Sequence, residues 1–320
     1  MILIITNRQD QTADYIILEL KKRKADYIRF NTEDYPQKAT ITWELIDKKI
    51  SGSMVLPKRQ IRFDEISSIW YRRPVSPQPD KSIINQETRD FIVEESRTAL
   101  EGFWKTIPCF WVSHPDKIRE AENKLYQLQT AIDLGFEVWP TMVTNNPTDA
   151  RSFYDKHQGD IVYKPLRKGK IIRGGEQRFI FTNRVSEDIS KKFNNIKYSA
   201  SLLQKYIHKS IEIRVTVIGD HVFGVQIDSQ VVPDAIHDWR RALDTPIRHT
   251  PYHLSEEIHK KCSLLVKKLG LQFGAIDLIL TPDNRLVFLE INPNGQWAWI
   301  QQLCPEIPLR ETLTDLLLKS

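Results

Sequence analysis

The sequence predicts a mixed α/β protein of several small domains. It opens with a buried strand followed by a helix, Met1–Thr6 and then an apolar stripe at Ala13, Ile16, Ile17 and Leu20. Its last third holds paired alternating strands around one helix, and its 320 residues suit about two to three domains at the usual ~150 residues each. Strands are expected at Tyr27–Phe30 and Ile66–Tyr71, with a hairpin in TITWELIDKKISGSMVL turning at Ser51-Gly52-Ser53. Three prolines in RRPVSPQP interrupt the pattern before Ile92, Ser96, Ala99 and Phe103 mark a long helix face. A small covered sheet is complete by Trp111, so the first domain is set at residues 1–112.

Ser113-His-Pro-Asp opens the next helix, with Ser113 as cap and Ile118, Ala121, Leu125, Leu128 and Ile132 as one buried stripe. A strand runs toward Pro140 and a helix is capped by Asn146, followed by strands in DIVYKPL, QRFIFT and SLLQKYI; these make a central domain, 113–207. The domain at 208–320 begins with the alternating pair EIRVTVIGD and HVFGVQIDS. It continues with a helix from Ser255 to Leu269 stopped by Gly270, then the hairpin FGAIDLIL, TPDN, RLVFLEIN.

Composition excludes several classes of function. With 41% hydrophobic and 27% charged residues the chain is a packed protein, neither fibrous nor disordered. A net charge of +5 spread over this length is too thin to imply a nucleic-acid partner. Cys109, Cys262 and Cys304 show no CxxC spacing, which points to core or surface thiols in a reducing compartment. MILIIT lacks a basic segment before it and nothing downstream reaches the ~18 apolar residues of a membrane span. The expected location is cytoplasmic, with no membrane association.

The chemistry concentrates in the late hairpin. Asp277 lies in an apolar strand, and the turn around Pro282-Asp283-Asn284 brings it opposite roughly residues 288 to 290, near Glu290 and Asn292. Two carboxylates and an amide oxygen crowding one apolar face would be costly to bury unpaired, so a divalent cation is expected, and oxygen donors favour magnesium over zinc. Magnesium in turn suggests phosphates. The competing reading is a structural ion pair between Asp277 and a nearby arginine. Lys164, on an apolar strand before the glycine-rich basic loop RKGKIIRGG, is placed to meet phosphate oxygens, and the main chain at Gly169, Gly174 and Gly175 could close over them. Such a loop is also common as a solvated turn, and no Walker sequence is present. Arg214 stands among apolar neighbours and requires an anion. Lys124 by itself reads as helix surface, Arg72 and Arg73 as a solvated turn, and Trp297 and Trp299 as core. Residues 233–251, with Arg240 and Arg241, read as a loop over the site, where recognition tends to lie.

The order of these pieces resembles the ATP-grasp superfamily: NK on a helix, strand-KPL, a glycine loop, a QxYI hinge, the strand EIRVTVIGD, then AIDL and LEINPNG, over residues 113–300. IWYRRP at 69–74 and DWRRA at 238–242 resemble, more narrowly, the microviridin-type graspetide synthetases, which close ester or amide rings in ribosomally made precursor peptides. The resemblance implies an ATP-grasp fold behind an N-terminal pre-ATP-grasp α/β domain. It implies ATP phosphates on Lys124 and Lys164, adenine on Gln204 and the main chain of Tyr206 and Ile207, and ribose at Glu212. It further implies magnesium on Asp277, Glu290 and Asn292, with Arg214 stabilising the phosphoryl group and the oxyanion. Arg72, Arg73, Arg240 and Arg241 become candidates for domain contacts or substrate carboxylates. Lys205 stands at a hinge position where the superfamily usually carries glutamate. The expected function is an ATP- and Mg2+-dependent carboxylate ligase acting on a precursor peptide with a leader segment, a homodimer being left open. The alternatives are a ligase joining an amino acid or small amine to a peptide carboxylate, and a nucleotide-binding regulatory module without turnover.

Overall fold

The computed structural model describes residues 1–57, 59–167, 169–173, 176–236, 239 and 245–319. The chain begins with β1 (Ile2–Thr6), α1 (Gln11–Lys22), β2 (Tyr27–Asn31), β3 (Thr40–Ile46), β4 (Lys49–Leu56), β5 (Arg59–Arg62), β6 (Ser68–Tyr71), α2 (Gln86–Thr106) and β7 (Phe110–Val112). Strands β2-β1-β6-β7 form a parallel sheet in that order, and β3-β4-β5 an antiparallel one. The five residues of β1 are buried on both faces, as expected of a central parallel strand covered by helices. Asp10 caps α1 by accepting from the N–H groups of Thr12 and Ala13, and Lys21 and Lys22 lie in its last turn, both favourable to the helix dipole.

The β3–β4 hairpin does not turn at Ser51-Gly52-Ser53. It turns at Asp47 and Lys48, whose φ angles are +49° and +63°, the two left-handed residues that a tight two-residue hairpin needs. Gly52 lies within β4 for a different reason: a Cβ there would come 2.2 Å from the Phe63 ring, so only glycine admits that side chain.

Next come α3 (Pro115–Ala121), α4 (Lys124–Asp133), β8 (Glu137–Val138), β9 (Thr141–Thr144), α5 (Pro147–Lys156), β10 (Ile161–Lys164), β11 (Lys170–Arg173), β12 (Glu176–Phe179), β13 (Asn183–Arg184), α6 (Glu187–Ser190) and β14 (Ser201–Lys205). The single helix expected after Ser113 is two. Asn123 accepts from the N–H groups of Leu125 and Tyr126 and starts a new helix, and this resets the buried face. Gln127, Thr130 and Ala131 point inward, whereas Leu125 and Ile132 are 53% and 54% exposed. His114, not Ser113, caps α3; the Ser113 hydroxyl instead accepts from the N–H groups of Gln272 and Phe273. Asn146 caps α5 as expected. Strands β13-β10-β14-β9 form an antiparallel sheet, and β11 and β12 a separate hairpin.

The remainder is β15 (Ile211–Ile218), β16 (His221–Ile227), β17 (His249–Tyr252), α7 (Glu256–Lys268), β18 (Phe273–Leu280), β19 (Leu286–Asn292), α8 (Ala298–Leu303) and α9 (Leu309–Leu318). Ser255 caps α7 and Gly270, with φ +70°, follows its end. The sheet order β17-β16-β15-β18-β19-β8 is antiparallel except for the last pair. One face packs under α3, α4 and α7 through Ile213, Val215, Val217, Ile276, Leu278, Phe288 and Ile291. At one end of the other face, Ile218, Phe273 and Ala275 join a core that also contains Ile2 and Ile4 of β1, Ala13, Ile16 and Leu20 of α1, and Leu309, Leu313 and Leu317 of α9. Among the described residues, no helix is long and apolar enough to cross a membrane.

Candidate functional site

Period-two alternation decides which side chains of β15 leave the core. Ile213, Val215 and Val217 go to the helix-covered face, so Glu212, Arg214 and Thr216 go to the opposite one. Across the sheet Arg214 is the register partner of Asp277, and Asp277 of Glu290. The Arg214 Nη1 donates to Asp277 Oδ1 at 2.7 Å, and Lys124, the first residue of α4, is ion-paired with Glu290. A row of alternating charge therefore runs Arg214, Asp277, Glu290, Lys124 over three strands and a helix start.

Glu290 owes its place in that row to a β-bulge. The register shifts between Asp277 and Leu278, so that Leu278 faces Phe288 while Asp277 faces Glu290, leaving Leu289 as the extra residue. Simple alternation from Phe288, a core residue, would have turned Glu290 into the core. The inserted residue re-aims it toward Asp277.

On one side of the charged row Ile207, Ile279 and Val287 form an apolar patch with Trp139 and Leu289 packed against it. Gln204 lies at its edge, donating from Nε2 to Thr141 Oγ1 at 2.8 Å and accepting from Lys164 Nζ at 2.7 Å. The Trp139 indole donates to the Tyr206 carbonyl at 3.2 Å, and the Arg184 guanidinium lies 4.1 Å over the Tyr206 ring. Burial holds the Tyr206 hydroxyl above its ordinary value. Lys205 lies 5.8 Å from the Trp139 ring. Glu212 accepts from Lys209 at 2.7 Å and from the Ser229 hydroxyl at 2.8 Å. Burial raises its carboxyl above the usual range, against the pull of Lys209.

On the other side is the segment Asn292–Gln296. Asn292 is exposed, and its Oδ1 accepts from the Asn294 N–H at 3.2 Å. The Gln296 carbonyl accepts from Arg214 Nη2 at 3.3 Å. Gly295 lets this segment lie close: a Cβ there would be 2.7 Å from that of Ala275 and 3.3 Å from Arg214 Nη2. Arg72 is 1% exposed and donates to the Asn294 carbonyl at 2.6 Å, to Asn294 Oδ1 at 2.9 Å and to Gln296 Oε1. Burial pulls its pKa down to about 10 against the opposing Asp10, so it remains charged at neutral pH. Arg73 is exposed, with φ +48°.

The structure thus brings Lys124, Arg214, Asp277 and Glu290 together, with Asn292 at the start of the segment that Arg214 contacts and Lys164 bonded to Gln204. Gly169 is packed tightly, since a Cβ there would be 2.5 Å from the Ile180 carbonyl. Gly174, Gly175, Arg240 and Arg241 lie outside the described residues. Sequence reasoning did not single out Thr141, Lys209, Ser229, Arg184, Trp139 or Gln127. The buried Gln127 amide bonds the main chain of Ile291 in both directions, at 2.8 and 3.2 Å, and so fixes β19 beside Glu290. Only Lys209 had a sequence signal, its spacing of three from Glu212; the others are set by chain crossings.

Asp277, Glu290 and Asn292 offer oxygen donors alone, a set that fits magnesium and not a soft metal. Among the described residues no cluster of three or more His, Cys, Asp or Glu is found, so a cation held here would take its third protein ligand from the Asn292 amide oxygen.

Residues 1–119 match the family described as the MvdD pre-ATP-grasp domain. Over 99% of its length the chain is similar to a RiPP-associated ATP-grasp ligase of Chryseobacterium gregarium, solved with ADP and a leader and core peptide; identity is 31%, TM-score 0.92, and 96% of that chain is covered. The macrocyclase MdnC of Microcystis aeruginosa, solved with the precursor peptide MdnA, matches at 27% identity and TM-score 0.88, over 100% of this chain and 99% of that one. The macrocyclase MdnB of the same organism matches at 28% and 0.82 over the same shares. No protein of curated function matches.

Proposed function

Since the chain belongs to the RiPP-associated ATP-grasp ligases, we propose that it is an ATP-dependent ligase that activates side-chain carboxylates of a ribosomally made precursor peptide and closes ester or amide rings. The observation that carries this reading is the row Arg214, Asp277, Glu290, Lys124 beside the apolar patch of Ile207, Ile279 and Val287. An adenine would lie on that patch against the main chain of Tyr206 and Ile207 with Gln204 at its edge, the ribose near Glu212, and the phosphates toward Lys124 and Lys164. Asp277, Glu290 and Asn292 would hold magnesium, which when bound supplies neutralising charge to the phosphate oxygens.

Phosphoryl transfer of this kind asks the protein for positioning and charge, not for a nucleophile. A substrate carboxylate attacks the γ-phosphate, whose bond to the β-phosphate oxygen breaks to release ADP and leave an acyl-phosphate; a hydroxyl or amine of the same peptide then attacks the acyl carbon and gives up its proton as phosphate departs. In both steps negative charge grows on oxygens, and Arg214, buried and oriented by Asp277, is the group that meets it. Arg73, exposed at the end of β6, would meet a peptide carboxylate. Buried Cys262 and Cys304 and half-buried Cys109 take no part. The partner is a precursor peptide held by its leader, and the cytoplasm is the expected location.

The test is mass spectrometry of a cognate peptide incubated with the protein and MgATP. Loss of one water mass per bond, with no added group, supports ring closure; intramolecular capture, with effective molarities up to ~10⁵ M or more, would leave external amines poor competitors. Addition of a free amino acid would replace this reading with an intermolecular ligase, and nucleotide binding without peptide-dependent hydrolysis with a regulatory module.

A further inference from the structure

The first sheet has a crevice of the kind that open parallel sheets use for ligands. Its order β2-β1-β6-β7 means that the chain leaves β1 in one direction and β6 in the other, so the carboxyl ends of these two strands flank a topological switch point, where ligands of such folds bind. Here that crevice is filled by the protein's own Asn294 and Gln296. Thr12, at the start of α1, donates its hydroxyl to Gln296 Oε1 at 2.8 Å, and the Asn294 amide donates to the Tyr71 carbonyl at 3.4 Å. Arg72, just beyond β6, makes three hydrogen bonds to the same two residues. Its Nε, without a hydrogen-bond partner among the described residues, faces Asp10 Oδ2 at 3.7 Å, and Asp10 is fixed by the Thr6 hydroxyl at 2.7 Å and by capping α1.

The held segment abuts the charged row at Arg214. It follows Asn292 directly, its Asn294 N–H bonds the Asn292 side chain, and its Gln296 carbonyl accepts from Arg214. We infer that Arg72 is a positioning residue: its guanidinium clamps Asn294 and Gln296 in the first sheet's crevice and thereby sets the Asn292 oxygen and the Arg214 guanidinium for a magnesium nucleotide. This rests on the nucleotide site proposed above. A buried, planar fork with fixed donors suits the task, and lysine, a compact charge whose donors all sit on one nitrogen, would not span both residues. The first domain would then take part in preparing the site without touching the nucleotide.

The test measures ADP binding to the full chain by calorimetry, once with Mg2+ and once with EDTA. The ratio of the two affinities reports how well the magnesium ligands are set, and a general loss of stability does not move it. Arg72→Met is expected to reduce that ratio about 10-fold or more, the range seen when partners that orient metal ligands are removed, while ADP affinity in EDTA stays as in the wild type. Arg72→Lys should recover little. If Arg72→Met does not fold, Gln296→Leu, which removes one acceptor of the clamp and leaves the Asn294 bonds, decides with a smaller change in the same direction. A wild-type ratio in the folded variant overturns the inference alone. A wild-type protein whose ADP affinity ignores Mg2+ overturns the nucleotide site, and the inference with it.

Discussion

Replacing Arg214 and Asp277 singly and together tests whether the charged row is an energetic unit. The two side chains are 9% and 25% exposed and joined by one bond of 2.7 Å. A hydrogen bond between charged groups contributes about 1.5–3 kcal/mol, and the access of water to a quarter of Asp277 places this one near the lower end, at about 1.5 kcal/mol. Arg214→Met also leaves a carboxylate on a half-dry face and should cost about 3 kcal/mol, the low end for breaking a buried pair. Asp277→Asn keeps an oxygen that Nη1 can reach and should cost about 1 kcal/mol. In the double variant no carboxylate is left stranded without its arginine, so the cost should fall about 1.5 kcal/mol below the sum. Urea unfolding followed by tryptophan fluorescence, without nucleotide, reads all four proteins. Additivity to within about 0.5 kcal/mol would refute the reasoning, because the two charges would then be independent of each other in the folded state.

Glu290→Gln should abolish ATP-dependent product formation in a protein that still folds, since it removes a charged ligand; wild-type turnover would argue against the metal assignment. Lys164→Ala should weaken ATP binding in calorimetry more than Lys205→Ala, and the reverse order would reassign the β10 lysine. Burial holds the Glu212 carboxyl above its ordinary value. The folded state therefore keeps a proton that the unfolded chain has released, and this contribution is full below the ordinary carboxylate value and lost as pH rises through the folded one. Glu212→Gln should gain stability relative to the wild type as pH rises above the ordinary carboxylate value, and a pH-independent difference in melting temperature would count against it. Burial also pushes the Cys109 and Cys262 thiols up to about 12. Iodoacetamide should therefore label them at neutral pH only after denaturation, and rapid labelling of Cys262 in the native protein would contradict its buried position.

What the sequence made legible follows from local periodicity. β15, β18 and the ends of α7 were readable because alternation, a serine cap and a terminating glycine act within a few residues. The same periodicity misled where one residue reset it. Asn123 begins a second helix and turns Leu125 and Ile132 to solvent. The meeting of Asp277 with Glu290, expected from the turn between their strands, is found, but through Leu289, which shifts the phase of β19. A bulge has no composition of its own; it is fixed by the partner strand. Nor does any local pattern announce that Arg72 reaches a residue 222 positions away, since that contact exists only after two sheets have met. For Arg72 the motif around it suggested either a domain contact or a substrate group, and burial of its guanidinium supports the first.

The core that unites β1, α1 and α9 has a consequence for synthesis on the ribosome. Leu309, Leu313 and Leu317 pack with Ile2, Ile4, Ile16 and Leu20, and the Ser68 hydroxyl donates to the Leu317 carbonyl at 2.8 Å. Because α9 emerges after all of the intervening chain, one side of the nascent first sheet has α1 but lacks the rest of its cover throughout elongation, and the domain cannot close fully as an independent vectorial unit. Nascent chains halted before Leu309 should remain sensitive to protease at β1 and α1 and be held by chaperones. Emergence of α9 is then the event that completes the cover over β1 and α1.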